Sequence, residues 1–266
     1  MLASAGPPPM LAEIFVLKLV VTPLLIAAAT LVARRWGPGV GGWLAGFPLT
    51  SAPVSVFLAL EQGPDFAAGA AVGTLFGLTA LAVFCLAYGW AARRMGWAGS
   101  AAAGLGVFGA CLAVLSLAPA SLPAAFALVC VSLALVAALL PATTTGVSGV
   151  KPPAWDLPFR MAVATAVVLL LTAAARHLGP TISGLLSPVP VFLLVMAVFT
   201  QRSQGSDASV RVLRGGVIGS FAFAVFFLVV GALLGRVGIG APYALASLGA
   251  LAVNGATLGV GRRLFR

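Results

Sequence analysis

The stretch Gln62-Gly63-Pro64-Asp65 returns 142 positions later as Gln204-Gly205-Ser206-Asp207. The same shift aligns residues 11–96 with residues 153–238 without a gap, and roughly 25 of about 86 aligned positions are identical. The identical pairs include Arg34/Arg176, Gly37/Gly179, Pro38/Pro180, Pro48/Pro190, Phe84/Phe226, Gly89/Gly231 and Arg94/Arg236. The chain is therefore predicted to contain two copies of one unit.

The composition places these two copies in a membrane. Hydrophobic residues make up 61% of the chain, charged residues make up 8%, and the mean hydropathy is +1.15. A soluble domain carries about 25% charged residues. Because backbone groups in lipid must be satisfied within each segment, and the alternation of a barrel strand is absent, the apolar segments are predicted to be helices. The sequence thus predicts an all-α polytopic membrane protein.

Nine transmembrane helices account for the apolar segments. A helix of about 20 residues crosses the hydrocarbon core. The predicted spans lie at roughly 11–33, 40–60, 67–92, 98–118, 122–141, 158–176, 180–200, 209–235 and 241–261. Residues 1–121 form the first membrane repeat, residues 122–157 a spacer helix with a cytoplasmic linker, and residues 158–266 the second repeat.

The distribution of basic residues predicts the orientation. With the N-terminus outside, all of the 15 Lys and Arg residues except Lys18, Arg176 and Arg236 fall on the cytoplasmic side, as the positive-inside rule requires. Five spans precede the second copy, so the two repeats enter the membrane in opposite senses and the C-terminus is cytoplasmic. The net charge of +10 is explained by these cytoplasmic loops and by anionic lipid, which excludes nucleic acid as the expected partner.

Proline interrupts the second span of each copy. The interruptions are Gly46-Phe47-Pro48-Leu49-Thr50-Ser51-Ala52-Pro53 and Ser187-Pro188-Val189-Pro190. Proline removes a backbone donor and moves its predecessor out of helical geometry, and matched helix breaks in inverted repeats are typical of a substrate site at the midplane. A packing kink is the structural alternative. The candidate substrate-binding residues here are Pro48, Thr50, Ser51, Pro53, Ser187, Pro188 and Pro190, with Ser55 and Ser183 as nearby hydroxyls.

Lys18 and Arg160 also coincide under the 142-residue shift. Each lies about one turn inside its span. Two interpretations stay open: the pair forms symmetric positive gates for an anionic substrate or headgroup, or each side chain extends back to the interface, as long basic side chains do near helix ends. Both residues are therefore candidate substrate-binding residues.

The acidic residues and the glycine pairs have structural interpretations. All five carboxylates, Glu13, Glu61, Asp65, Asp156 and Asp207, are predicted at span ends, which argues against a carboxylate proton relay inside the spans. Asp65 and Asp207 are predicted to cap helices. The pairs Gly73/Gly77 and Gly215/Gly219 are predicted to lie at close helix contacts.

Sequence signatures of an enzyme are absent. The chain contains neither an HExxH nor a GxSxG motif, and its single histidine is His177. With no carboxylate pair inside the spans, we expect no catalytic residues, no metal site and no cofactor.

The second copy resembles the small GlpM-like proteins of the bacterial inner membrane. The residues that carry the resemblance are Gly179-Pro180-Thr181-Ile182-Ser183-Gly184-Leu185-Leu186, Pro190, Arg211 and Gly219. Those proteins are single units of about half this length, so the chain is similar to two fused units. The resemblance implies a multi-pass protein of the bacterial inner membrane more than it implies an activity.

Two functional hypotheses follow from the sequence. The first is a small secondary transporter, exporter or lipid-linked flippase with its substrate between spans two and seven, anionic if Lys18 and Arg160 take part. The second is a non-transporting membrane scaffold or accessory subunit, in which the repeat serves fold stability or pairing. The expected partners are the lipid bilayer and a small-molecule or lipid substrate, and a homodimer stays open.

Overall fold

A computed structural model describes residues 9–48, 51–118, 121–143, 155–167, 169–170 and 190–264. Throughout these ranges the chain is helical apart from short turns, and it forms no strand there. The helices are α1 (Pro9–Trp36), α2 (Pro38–Ala45), α3 (Ser51–Gln62), α4 (Pro64–Ala91), α5 (Trp97–Leu115), α6 (Leu122–Leu139), α7 (156–167), α8 (Val191–Gln204), α9 (Ser206–Leu233) and α10 (Gly240–Leu264).

Four helices of the described ranges, α4, α5, α6 and α9, are long and apolar enough to cross a membrane. The predicted all-α architecture is confirmed, and these four helices agree with the predicted membrane protein. The predicted second span is not one helix, because it is divided into α2 and α3 around Pro48.

Helices α4 and α9 form the centre of the fold and run antiparallel. Gly89, near the end of α4, lies against Leu213, near the start of α9. At the opposite end of the pair, Gly231 of α9 lies against Ala71 of α4. Large side chains from both helices, among them Phe84, are fully buried in this core. The absence of a side chain at each glycine leaves room for side chains of the neighbouring helices to pack there.

Helix α6 packs against both central helices. At one end, Gly89 of α4 lies against Leu140, which follows α6, and at the other end Gly231 of α9 lies against Leu122. Arg214 of α9 donates hydrogen bonds to the carbonyl oxygens of Ala137 (3.0 Å) and Leu140 (3.1 Å). A basic side chain at the C-terminus of a helix satisfies carbonyl groups that have no partner within the helix. Helix α6, the predicted spacer helix, is thus held at both of its ends.

Helix α2 contacts α9 through glycine. A Cβ atom at Gly215 would overlap the carbonyl oxygen of Gly39, and one at Gly219 would overlap that of Trp43. The predicted close helix contact is therefore confirmed at Gly215 and Gly219. The prediction is wrong for Gly73, because within the described chain no atom lies within 4 Å of the position of a Cβ there.

The stretch Gln62–Asp65 and the matching stretch Gln204–Asp207 have the same local structure. Gly63 (φ 93°) and Gly205 (φ 89°) precede α4 and α9 in a conformation that only glycine adopts readily. Because glycine is the cap and no side-chain cap bond forms at either helix, the predicted capping by Asp65 and Asp207 is wrong. The carboxylates lie instead in the first helical turn, where the helix dipole favours negative charge.

Candidate functional site

The break in the predicted second span is centred on Pro48. Helix α2 ends at Ala45, α3 begins at Ser51, and Pro48 is buried between them. The backbone N–H of Ala52 donates to the carbonyl oxygen of Pro48 over 2.9 Å, so this proline starts the hydrogen-bonding pattern of α3. The predicted interruption of the helix at Pro48 is confirmed.

Pro190 has the same relation to α8. It is the buried N-cap residue of that helix, and the N–H of Leu194 donates to its carbonyl oxygen over 2.7 Å. The two bonds, Ala52 to Pro48 and Leu194 to Pro190, are separated by the 142 residues of the sequence repeat. Of the other predicted residues of this site, Thr50, Ser183, Ser187 and Pro188 lie outside the described residues.

The segments next to Pro48 and Pro190 both meet α9 at one residue, Gly216. A Cβ at Gly46, two residues before Pro48, would overlap the carbonyl oxygen of Gly216. A Cβ at Gly216 would in turn overlap the side chain of Leu193, three residues after Pro190. The segments next to the two prolines therefore contact the same residue of α9.

Among the hydroxyl groups near the break, that of Ser55 takes part in a structural hydrogen bond. Ser51 and Pro53 are half-buried in the first turn of α3. Ser55 is buried, and its hydroxyl lies 2.8 Å from the Tyr243 hydroxyl, which donates to the carbonyl oxygen of Ser55 over 2.7 Å. Sequence reasoning named Ser55 but missed Tyr243, because the two residues are 188 positions apart and no local pattern links them.

Arg160 lies in a buried ionic cluster at the start of α7. Arg160 is 2% exposed and Asp156 is 4% exposed. The Asp156 carboxylate accepts hydrogen bonds from Arg160 Nε (2.9 Å) and from Arg34 Nη2 at the end of α1 (3.0 Å). The Arg160 guanidinium also lies 5.1 Å from the ring centroid of Phe199 in α8, within the range of a cation–π contact.

The side chain of Arg160 thus extends back by one helical turn, and it meets a carboxylate there rather than open water. The cluster ties α1, α7 and α8 together. Lys18, its counterpart under the repeat, belongs to α1 by its backbone, and its side chain lies outside the described structure.

A cleft opens at one end of the central helix pair. Its volume is about 760 Å³, and it lies between α4, α6 and α9. Asp65 and Arg236 line it together with apolar side chains, among them Leu122, Phe126 and Leu228. The sequence placed Asp65 at the start of a helix but missed the cleft, because Arg236 comes from the far end of the other repeat.

Within the described ranges, no three His, Cys, Asp or Glu side chains are close enough to hold a metal ion. Comparisons of the chain with models of protein families, with curated proteins and with solved structures found no match. The four long apolar helices and the composition therefore define the class of the protein from its own residues: a membrane protein that is helical, apart from short turns, throughout the described ranges.

Proposed function

We propose that the chain is a small secondary transporter or exporter of nine spans, with its substrate site at the two interrupted helices. The observation that carries the proposal is the repeated proline-initiated helix: Pro48 starts α3 as Pro190 starts α8, and Gly46 beside the first break and Leu193 of α8 both lie against Gly216. Helix breaks leave backbone groups without helical partners, and these are the groups that broken-helix transporters use to bind substrates and ions.

The contacts between α4 and α9 support an inverted relation between the halves. Exchanging each residue for its counterpart 142 positions away converts the contact Gly89–Leu213 into Gly231–Ala71, and both contacts occur. An antiparallel helix pair with interchangeable contacts is what a two-fold axis in the membrane plane produces. Rocking of one half against the other about this axis would expose the interrupted helices to each side of the membrane in turn.

The proposal includes the bacterial inner membrane as location, which the GlpM-like resemblance implies. In this proposal Arg160 is a positioning residue, because its guanidinium is already bound to Asp156. The substrate is a small molecule or a lipid-linked compound. A net positive charge at the cytoplasmic end, where Arg34 and Arg160 share a single carboxylate, is compatible with an anionic group on that substrate.

Met95 and Val237 provide a test of the inverted topology. They are counterparts under the 142-residue shift, both follow a central helix, and both are exposed, by 55% and 60%. We expect Val237→Cys to react with a membrane-impermeant maleimide in intact cells, and Met95→Cys to react only after the membrane is opened. The background is a variant whose native cysteines, Cys85, Cys111 and Cys130, are replaced by alanine. Labelling of both positions from the same side would contradict the inverted repeat.

The substrate site is tested by ligand binding in proline variants. The purified protein is heated with a panel of small metabolites, phosphorylated compounds and lipids, because a ligand at 100 times its Kd stabilises the folded state by about 2.7 kcal/mol. We expect Pro48→Ala and Pro190→Ala to reduce the stabilisation by a hit to roughly 1.4 kcal/mol or less, which corresponds to a tenfold loss of affinity.

Pro23→Ala is the matched control, because Pro23 lies inside the continuous helix α1 and its replacement should leave ligand binding unchanged. Equal loss of ligand binding in all three variants would mean that the substitutions loosen the whole protein rather than alter the substrate site. Absence of stabilisation across the panel would favour the alternative function, a scaffold or accessory subunit.

A further inference from the structure

The cleft between α4, α6 and α9 is separate from the interrupted helices and has a binding chemistry of its own. Its volume of about 760 Å³ lies in the range of small-molecule sites, about 300–1,000 Å³. Leu122 and Phe126 of α6 and Leu228 of α9 form an apolar wall, and Asp65 and Arg236 add one charge of each sign.

Asp65 and Arg236 do not neutralise each other. Both residues are exposed, and the ion pairs found among the described residues, with nitrogen and oxygen within 4.0 Å, do not include either of them. A carboxylate and a guanidinium therefore line one cleft, each able to form a charge-assisted hydrogen bond with a ligand.

At the opposite end of the same helix pair, the counterpart of Asp65 has a cationic partner. Asp207, the counterpart of Asp65, forms an ion pair at 2.6 Å with Arg93, which follows α4. Arg94, the counterpart of Arg236, directly follows Arg93 in the sequence. The counterpart of Arg93 at the other end is Gly235, so the ion pair that closes one end has no equivalent beside Asp65. A ligand that fills the open end must offer a cation to Asp65 and an anion to Arg236.

We propose that this cleft binds an amphiphile with a zwitterionic headgroup. Its amine contacts Asp65, its phosphate contacts Arg236, and its hydrocarbon part lies on Leu122, Phe126 and Leu228. A purely anionic headgroup is repelled by Asp65, and a purely cationic one is repelled by Arg236. A zwitterion without a hydrocarbon part would leave the apolar wall unoccupied, so the cleft favours a lipid over a free amino acid.

This binding does not depend on transport, because the cleft residues are not those of the interrupted helices. It is tested with the full chain in a detergent of uncharged headgroup, by native mass spectrometry. The probes are dihexanoyl-phosphatidylethanolamine, dihexanoyl-phosphatidylglycerol and phosphoethanolamine, which separate the zwitterionic lipid from an anionic lipid and from the free headgroup. We expect the phosphatidylethanolamine to bind at least about tenfold more tightly than either of the other probes. The phosphatidylglycerol lacks the charge-assisted hydrogen bond of the amine, and phosphoethanolamine lacks the buried hydrocarbon chain.

Single substitutions assign the two contacts. Asp65→Asn should abolish the preference for phosphatidylethanolamine over phosphatidylglycerol, and Arg236→Gln should weaken the binding of both lipids by roughly tenfold. Arg94→Gln is the matched control at the opposite end, with the same change of charge and no expected change in affinity. Equal affinity of the unaltered protein for the two lipids would overturn the proposal, whatever the variants do. Equal binding of phosphoethanolamine and the zwitterionic lipid would overturn the assignment to an amphiphile.

Discussion

Replacing Gly215 by alanine should destabilise the protein by about 3 kcal/mol, the upper part of the range for an overpacked site. The added Cβ would overlap the carbonyl oxygen of Gly39 and lie 2.8 Å from the backbone nitrogen of Trp43. Both neighbours are backbone atoms of α2, so no side-chain rotation can relieve the overlap, and α2 must move away from α9. The free energy of unfolding, measured by titration with sodium dodecyl sulfate in mixed micelles, checks the expectation.

Gly73→Ala is the matched control for this variant. Gly73 is the counterpart of Gly215 under the repeat and lies inside α4, but a Cβ there meets no atom within 4 Å in the described chain. Since alanine is the better helix former by about 1 kcal/mol, this change should leave stability equal or slightly higher. Equal destabilisation by the two changes would mean that the α2–α9 contact is not the cause.

Local backbone requirements were predictable from the sequence. A glycine before α4 or α9 acts through its own φ, and a proline at the start of α3 or α8 acts through its own missing N–H. The positions of these residues alone therefore predict a helix start or a helix break. This is why the interruption at Pro48 was predicted correctly. The capping prediction for Asp65 failed because Gly63, two positions earlier, was already the cap.

Long-range pairings could not be predicted in the same way. Tyr243 meets Ser55 across 188 positions, and Arg34 meets Asp156 across 122. Hydrophobic periodicity predicts how deep such residues lie but not which partner they meet. Asp156 and Arg160 are an exception, since a spacing of four residues places two side chains on the same face of a helix. That spacing was available in the sequence as a signal for the ionic cluster.

Replacing Asp156 by alanine should destabilise the protein by about 3–5 kcal/mol. The carboxylate is the partner of Arg160, which is 2% exposed, and it also binds Arg34. Without it a guanidinium remains buried beside Arg34 with no counter-charge, and removal of one member of a buried ion pair is among the most costly single changes. The free energy of unfolding in the same mixed micelles measures the loss.

A double substitution separates two contributions to the free energy of unfolding: the cost of burying Arg160 without a counter-charge, and the stabilisation by the ion pair itself. In Asp156→Ala with Arg160→Met no buried charge remains, and because methionine fills irregular apolar space beside Phe199, most of the lost stability should return. Arg34→Gln, at a side chain 31% exposed, should cost about 1 kcal/mol or less, as partly solvated pairs do. If the double variant were as unstable as Asp156→Ala alone, the carboxylate would stabilise the junction of α1, α7 and α8 through Arg34 rather than by neutralising Arg160.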